Sequence, residues 1–394
     1  MTPAPDPTTR ATHERWLLDI TSIPTAAGRE HRVIRWIESW VRERTDVALR
    51  RDPAGNLVIE RTNAPAASTT PPLFITAHLD HPAFVIESIT DPRTLALGFR
   101  GGVLNPYFSN APITLFAEAR ADAPIPARIT STKAQEPYRH CTVELEAGHT
   151  IESTGLTLGD IGRWPLPPAH IENGILHTHA CDDLAALAAA LAAFDQLRTN
   201  PAAAHTRLLF TRAEEIGFVG AIAACKHRTL PLNARVLALE NSRSFPHDSP
   251  IGAGPIVRVG DRISTFSPTL TAAVAKCAET LAKSRDTTPD KFRWQRKLMP
   301  GGACEASAYQ AYGHDATCIC LPLGNYHNMA DLERVQAGDA DAVANARAGH
   351  EFISAADFHG LVDLLIACAT GLSDAEPITT MMERLYAERS FVLG

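Results

Sequence analysis

Five apolar runs in this 394-residue chain each lead into a side chain able to bind a cation or move a proton. The most informative is Arg207–Thr211, which reads as a buried strand and is followed by the adjacent carboxylates Glu214 and Glu215. Gly217 then lets the chain turn away. Neighbouring side chains point in different directions, so one carboxylate can bind a metal while the other handles a proton. Alone, such a pair is equally well a solvated acidic turn. The other runs decide between these readings. His78 follows Leu73–Ala77, and Asp182 follows Ile175–Thr178 and opens a helix. Glu240 follows Arg235–Leu239, and His327 follows Ala316–Leu321 by way of a short loop. Open α/β sheets bind ligands outside the carboxyl ends of their strands, so these residues are expected to converge on one edge.

Imidazole and carboxylate donors suit Zn²⁺ and its neighbours. Two ions about 3.5–4 Å apart need a bridging carboxylate and terminal ligands on each side. Asp182, at a helix N-terminus, can bridge while Asp183 caps the helix. Glu215 and His327 can then complete one ion, and His78 and Glu240 the other. Glu214 is left as a general base. Asp80, two residues after His78, reads as the carboxylate that holds the second ring nitrogen of that histidine. His177 and His179 read as supporting or structural. His81, His140, His170, His314 and His350 read as ordinary polar residues. Gly301 and Gly302 precede a helix from Glu305 and let backbone approach a ligand, or make a tight turn. Nothing marks a base for Cys304 as a nucleophile. No nucleophile elbow, P-loop or dinucleotide fingerprint follows a strand.

The elements that must position these residues alternate. Two helices are expected within Glu14–Arg44, then short strands at Val47–Arg50 and Asn56–Glu60 and a loop over Thr62–Pro72. After the strand Leu73–Ala77, the stretch from Phe84 to about Gly162 carries short alternating runs broken by Gly, Pro, Asn and Asp, the texture of a small all-β module. Strands at 175–178, 207–211, 235–239, possible 292–297 and 316–321 then alternate with helices at 182–197, 219–226, 267–282 and 305–312. A polar loop, Asp331–Gly349, precedes a last helix, Ser354–Leu372. The expected fold is a three-layer α/β/α domain with a mainly parallel sheet, formed by residues 1–83 and 163–394, with a β-barrel-like domain at 84–162 inserted.

Hydrophobic residues make up 45% and charged residues 21%, which suits a globular protein with ample core. The net charge of -7 leaves no basic footprint and argues against nucleic acid as partner. The longest apolar run, Leu184–Phe194, is too short to span a bilayer. The first residues, through Pro7, lack the pattern of a signal peptide and read as a disordered leader. The 8 cysteines include no CxxC pair, so reduced, mostly buried thiols in a cytoplasmic protein are expected.

The chain resembles the M42 family of metallo-aminopeptidases, of the glutamyl aminopeptidase type, within the di-zinc exopeptidases that also include M28 and M20. The resemblance rests on Ala77-His78-Leu79-Asp80, Ala180-Cys181-Asp182-Asp183, Ala213-Glu214-Glu215-Ile216-Gly217, Leu239-Glu240-Asn241-Ser242, Gly301-Gly302 and Tyr326-His327-Asn328, in family order through nearly the whole chain. The long, β-rich gap between His78 and Asp182 is the M42 arrangement. The resemblance implies metal ligation by His78, Asp182, Glu215, Glu240 and His327, with Glu214 as catalytic base. It also implies two divalent ions per subunit, Zn²⁺ with Co²⁺ or Mn²⁺ as alternatives, peptide substrates with a free N-terminus, a cytoplasmic location and a homo-oligomer. His81-Pro82-Ala83-Phe84, Ala303-Cys304-Glu305 and the Glu at 240 depart from the family pattern, so a divergent specificity is expected. An amidase or deacylase acting on a small N-acylated substrate, and a non-catalytic binding module, are the alternatives.

Overall fold

A computed structural model describes residues 6–63, 70–134, 137–288, 290–373 and 378–393. Strands β1 (Val47–Arg51), β2 (Leu57–Arg61) and β3 (Leu73–His78) lead into six strands, β4 (Ala83–Ile89), β5 (Thr94–Arg100), β6 (Pro112–Phe116), β7 (Pro124–Lys133), β8 (Arg139–Leu145) and β9 (Ile161–Arg163). These six close into a barrel in the order β4-β5-β8-β7-β6-β9. The chain continues through β10 (His170–Glu172), β11 (Ile175–Thr178), β12 (Thr206–Thr211), β13 (Arg235–Arg243), β14 (Ile256–Gly260), β15 (Gln295–Leu298), β16 (Asp315–Leu323) and β17 (Glu351–Ser354). The main sheet has the order β1-β2-β12-β3-β13-β16-β14-β15.

Its centre is parallel: β12 pairs with β3, β3 with β13, and β13 with β16. These strands are apolar on both faces, because helices cover both sides. Every residue of β3 is buried. On one face lies the helix Leu184–Leu197, whose alanines let it approach β3 closely and pack against the helices Pro7–Ser22 and Ala355–Gly371. Parallel register brings strand ends to a common edge. His78 stands opposite Thr211, and Glu240 opposite Cys320. Residues that follow β3, β12, β13 and β16 therefore emerge together.

Several expectations are corrected. Strand β11 is not in the main sheet; it lies in a small antiparallel sheet, β10-β11-β17. Its burial alternates, as suits a strand with one solvated face. Asp182 reaches the edge from the helix N-terminus instead. Strand β14 escaped notice because Arg258 interrupts its apolar run, yet that arginine is buried. The polar stretch 331–349 holds two short helices, Leu332–Gln336 and Ala340–Ala344. The first helix begins at Pro7, where Asp6 accepts hydrogen bonds from the Thr8 and Thr9 N–H groups, so Pro7 is no part of a leader. A further helix, Ile378–Arg389, follows the one expected to be last. Residues 1–5 of the expected leader and 64–69 of the expected loop lie outside the described residues.

The barrel has its own core, in which Phe84, Phe99, Phe108 and Trp164 meet edge-on or tilted, with Phe84 and Phe99 centroids 4.8 Å apart. It is tied to the main body by a bidentate pair from Arg32 to Asp122 at 2.6 and 2.8 Å, and by Arg163, which donates to the Ser22 carbonyl. Phe99 is 1% exposed. Phe99→Ala is expected to cost about 3–5 kcal/mol, read as a fall in the temperature or denaturant midpoint of barrel unfolding.

Candidate metal centre

The edge of the sheet gathers donor atoms into three overlapping groups, each with its atoms within 4.8 Å of one another: His78, Asp182 and Glu240; Asp182, Glu215 and His327; and His78, Glu214 and Glu215. Asp182 belongs to the first two through different oxygens. Its Oδ1 is 3.4 Å from His78 Nε2, and its Oδ2 is 3.4 Å from His327 Nε2. Glu215 Oε2 lies 3.5 Å from His327 Nε2, and Glu240 Oε1 4.0 Å from His78 Nε2. Glu214 Oε2 stands 3.9 Å from His78 Nε2. All six residues singled out at the strand ends therefore stand together. The first two groups are complete without Glu214.

The Glu214–Glu215 turn is built by specific contacts. Ala213 adopts a left-handed conformation with φ 54°, and Gly217 one with φ 111°. The Glu214 and Glu215 N–H groups donate to the two carboxylate oxygens of Asp80, at 2.9 and 3.0 Å. Glu30, fully buried, accepts from the Ala213 N–H at 3.0 Å and from Arg212 Nε at 2.8 Å. Gly220 lies against the Arg212 backbone so closely that a Cβ there would collide with it.

Two expected roles change. Asp80 does not hold the His78 ring through its carboxylate, whose nearest oxygen is 3.6 Å away; His78 Nδ1 instead donates to the Asp80 carbonyl at 3.1 Å. The carboxylate is occupied by the Glu214–Glu215 backbone. Asp183 makes no side-chain cap, and its Oδ2 accepts from the His78 N–H at 3.2 Å. His81, read as ordinary, lies between the Asp182 carbonyl and Asn328 Oδ1, at 2.6 and 3.0 Å. His179 hydrogen-bonds to the Trp164 carbonyl and is structural, while His177 stands outside this site on the surface sheet.

Glu351 went unnoticed because it follows a polar loop with no motif around it. It is buried, and its Oε2 accepts from the Cys181 and Asp182 N–H groups at 2.7 and 3.0 Å. Its Oε1 accepts from the His327 N–H at 2.8 Å. One carboxylate thus fixes the backbone of two of the three residues in the second donor group, Asp182 and His327. The barrel also takes part, since His327 Nδ1 donates to the Gly102 carbonyl at 2.6 Å. That bond turns Nε2 toward Asp182 and Glu215.

Electrostatics favour a cation here. Asp182 Oδ1 and Glu215 Oε1 are buried without a hydrogen-bond partner. Burial, with the neighbouring acids, pushes Glu214, Glu215 and Glu240 well above the carboxylate range. Burial also pushes Asp182 up, but the His327 and His78 imidazoles, each 3.4 Å from one of its oxygens, outweigh it and hold its carboxyl well below its usual value. Burial opposes a charge on His78, yet Glu214, Asp182 and Asp80 outweigh it and hold the ring well above its usual value. Hard oxygen and imidazole donors with orphaned buried oxygens fit divalent ions of the Zn²⁺ class.

Two outcomes follow from this geometry. Ion binding must displace protons from the raised carboxylates, so affinity is expected to rise with pH through neutrality and Zn²⁺ binding to release protons, measurable by calorimetry in buffers of different ionisation enthalpy. Glu351→Gln keeps the size but loses one acceptor oxygen. It is expected to weaken ion affinity about 10–100-fold, read by competition with a chromophoric chelator.

The family profile described as M42 glutamyl aminopeptidase matches residues 55–345. No curated protein matches the sequence significantly. Among solved structures, the TET1 peptidase of Pyrococcus horikoshii superposes with a TM-score of 0.70 at 20% identity, covering 91% of this chain and 100% of the other. A TET aminopeptidase from a marine sediment archaeon, Thaumarchaeota archaeon SCGC AB-539-E09, gives 0.72 at 17% identity, with 92% and 97% covered. An aminopeptidase of Desulfurococcus kamchatkensis gives 0.69 at 19% identity, with 92% and 95% covered. These likenesses show the fold. The family match spans the strand ends that carry His78, Asp182, Glu214, Glu215, Glu240 and His327, and the chain belongs to the M42 glutamyl aminopeptidase family of metal-dependent aminopeptidases.

Proposed function

We propose that the chain removes N-terminal residues from peptides, with two divalent ions held at the sheet edge and Glu214 as the general base. The observation that carries this reading is Asp182 shared between two donor groups, one oxygen to each. His78 and Glu240 would hold one ion, Glu215 and His327 the other, and Asp182 both. Zn²⁺ is the ion that the donor set suits, with Co²⁺ or Mn²⁺ as alternatives. When bound, the ions polarise the scissile carbonyl and lower the pKa of the attacking water.

The remaining work belongs to the chain. Glu214 is 8% exposed and shares a donor group with His78 and Glu215, but the two groups joined by Asp182 are complete without it. It accepts a proton from the attacking water and delivers it to the leaving amine nitrogen. Asp80 holds the Glu214 and Glu215 N–H groups, so the base and its neighbouring ligand keep a fixed separation. The Tyr326 ring stacks on His327 with centroids 3.7 Å apart and restrains that ring. The P. horikoshii relative is described as assembling into a tetrahedron or a large octahedral shell. A homo-oligomer is the corresponding reading for this chain, with the barrel as a contact surface. No helix among the described residues is long and apolar enough to cross a membrane.

Glu214→Gln tests the base. The variant is expected to keep its ions, counted by elemental mass spectrometry, and to lose about 10²–10⁴-fold in kcat. Undiminished turnover would remove Glu214 from the mechanism. A panel of aminoacyl-arylamides and N-acyl amino acids on ion-loaded protein is expected to be cleaved only where the amine is free. Cleavage of the N-acyl set alone would make the enzyme a deacylase.

A further inference from the structure

The small sheet β10-β11-β17 carries a second concentration of imidazoles, on the side away from the core. His170 and His177 are direct cross-strand partners, stacked with centroids 5.2 Å apart and planes 18° from parallel. His350 precedes β17, with its centroid 5.8 Å from that of His170 and 6.5 Å from that of His177. The alternate residues Leu176 and Ile353 face the core. Histidines gathered on the outer face of a sheet contribute little to folding, and the proposed reaction uses none of these three.

Their hydrogen bonds leave lone pairs free. A carbonyl can only accept, so His350 Nε2–H donates to the Pro167 carbonyl at 2.8 Å and Nδ1 is left as the basic nitrogen. His170 Nδ1–H donates to the Pro168 carbonyl at 3.2 Å and leaves Nε2 basic. No hydrogen bond involves the His177 ring among the described residues. Backbone carbonyls holding the far nitrogen of an imidazole are the usual supports of a metal-binding histidine. Glu172 stands two residues from His170 on the same face of β10, and its charge acts on His177. Burial and the neighbouring imidazoles hold His177 and His350 below the ordinary histidine value, which keeps them in the neutral form that binds metal.

We propose that His170, His177 and His350, with Glu172 available as a fourth donor, form a surface site for a borderline divalent ion such as Zn²⁺, Cu²⁺ or Ni²⁺, separate from the sheet-edge centre. Three imidazoles and a carboxylate suit this class rather than Mg²⁺ or Ca²⁺. Unlike those of the buried centre, these nitrogens do not already lie within 4.8 Å of one another. Closing them on an ion takes side-chain rotation, which the exposed His170 and half-buried His177 and His350 allow. The site joins β10, β11 and the residue that leads into β17. It lies one residue from Glu351, so an occupying ion would clamp the segment that supports Asp182 and His327.

The test compares full-length wild type with His170→Ala/His177→Ala after equilibrium dialysis against Zn²⁺ and, separately, Cu²⁺. Bound ions are counted by elemental mass spectrometry. Wild type is expected to hold one more ion per chain than the variant, whatever number the buried centre holds, so the result does not depend on the assignment of that centre. Paramagnetic resonance of the additional Cu²⁺ is expected to show nitrogen hyperfine structure that the variant lacks. The thermal midpoint in chelator is expected to match wild type. Equal ion counts in wild type and variant would overturn the site. Should the double variant fail to fold, His170→Ala alone is expected to weaken binding of the additional ion at least tenfold, and unchanged affinity would overturn the site equally.

Discussion

The constraint on which the structure depends is an excess of buried carboxyl groups at the carboxyl edge of the main sheet. Asp80, Asp182, Asp183, Glu214, Glu240 and Glu351 are all less than 9% exposed there, with the imidazoles of His78 and His327 among them. Carboxylates are costly to bury unless each finds hydrogen bonds or a counter-charge. The fold meets this demand in two ways. Asp80, Glu351 and Glu30 accept backbone N–H groups and act as internal braces. Asp182, Glu215 and Glu240 face one another across the edge, and two of them keep an oxygen without any partner. The second set is where a cation would compensate what the chain does not.

That division explains the spacing of the braces. Asp80 follows His78 by two residues yet holds the turn after β12, so the ends of β3 and β12 are fixed to each other by one side chain. Glu351 performs the same task between the start of the Leu184–Leu197 helix and the loop carrying His327. Gly102, between β5 and β6, extends the brace into the barrel. The barrel is therefore coupled to the candidate centre by a hydrogen bond on His327, as well as by its covalent links after β3 and before β10.

Much of this was legible in the chain. Two-sided apolar runs such as Leu73–Ala77 and Arg235–Leu239 announced a covered parallel sheet, and the rule that such sheets present their carboxyl ends to ligands placed His78, the Glu214–Glu215 pair and Glu240 near one another. What escaped lacks a local pattern. Strand β14 contains Arg258, which only tertiary burial explains. Glu351 and Glu30 act on backbone distant in sequence by 24 and 183 residues, and no spacing marks such partners. Asp80 was legible as important through its neighbour His78, but its target was misread, because a His-x-Asp pair does not reveal whether the ring or a remote turn receives the carboxylate. The helices within 331–349 are too short for periodicity to show.

The proposed centre depends most directly on Asp182 as the carboxylate common to two ions. Anomalous diffraction from crystals of Zn²⁺-loaded protein, recorded on both sides of the zinc absorption edge, would measure it. Two peaks about 3.5–4 Å apart, one beside His78 and Glu240 and the other beside Glu215 and His327, with an Asp182 oxygen on each, are predicted. A single peak, or a second peak to which Asp182 contributes nothing, would contradict the account.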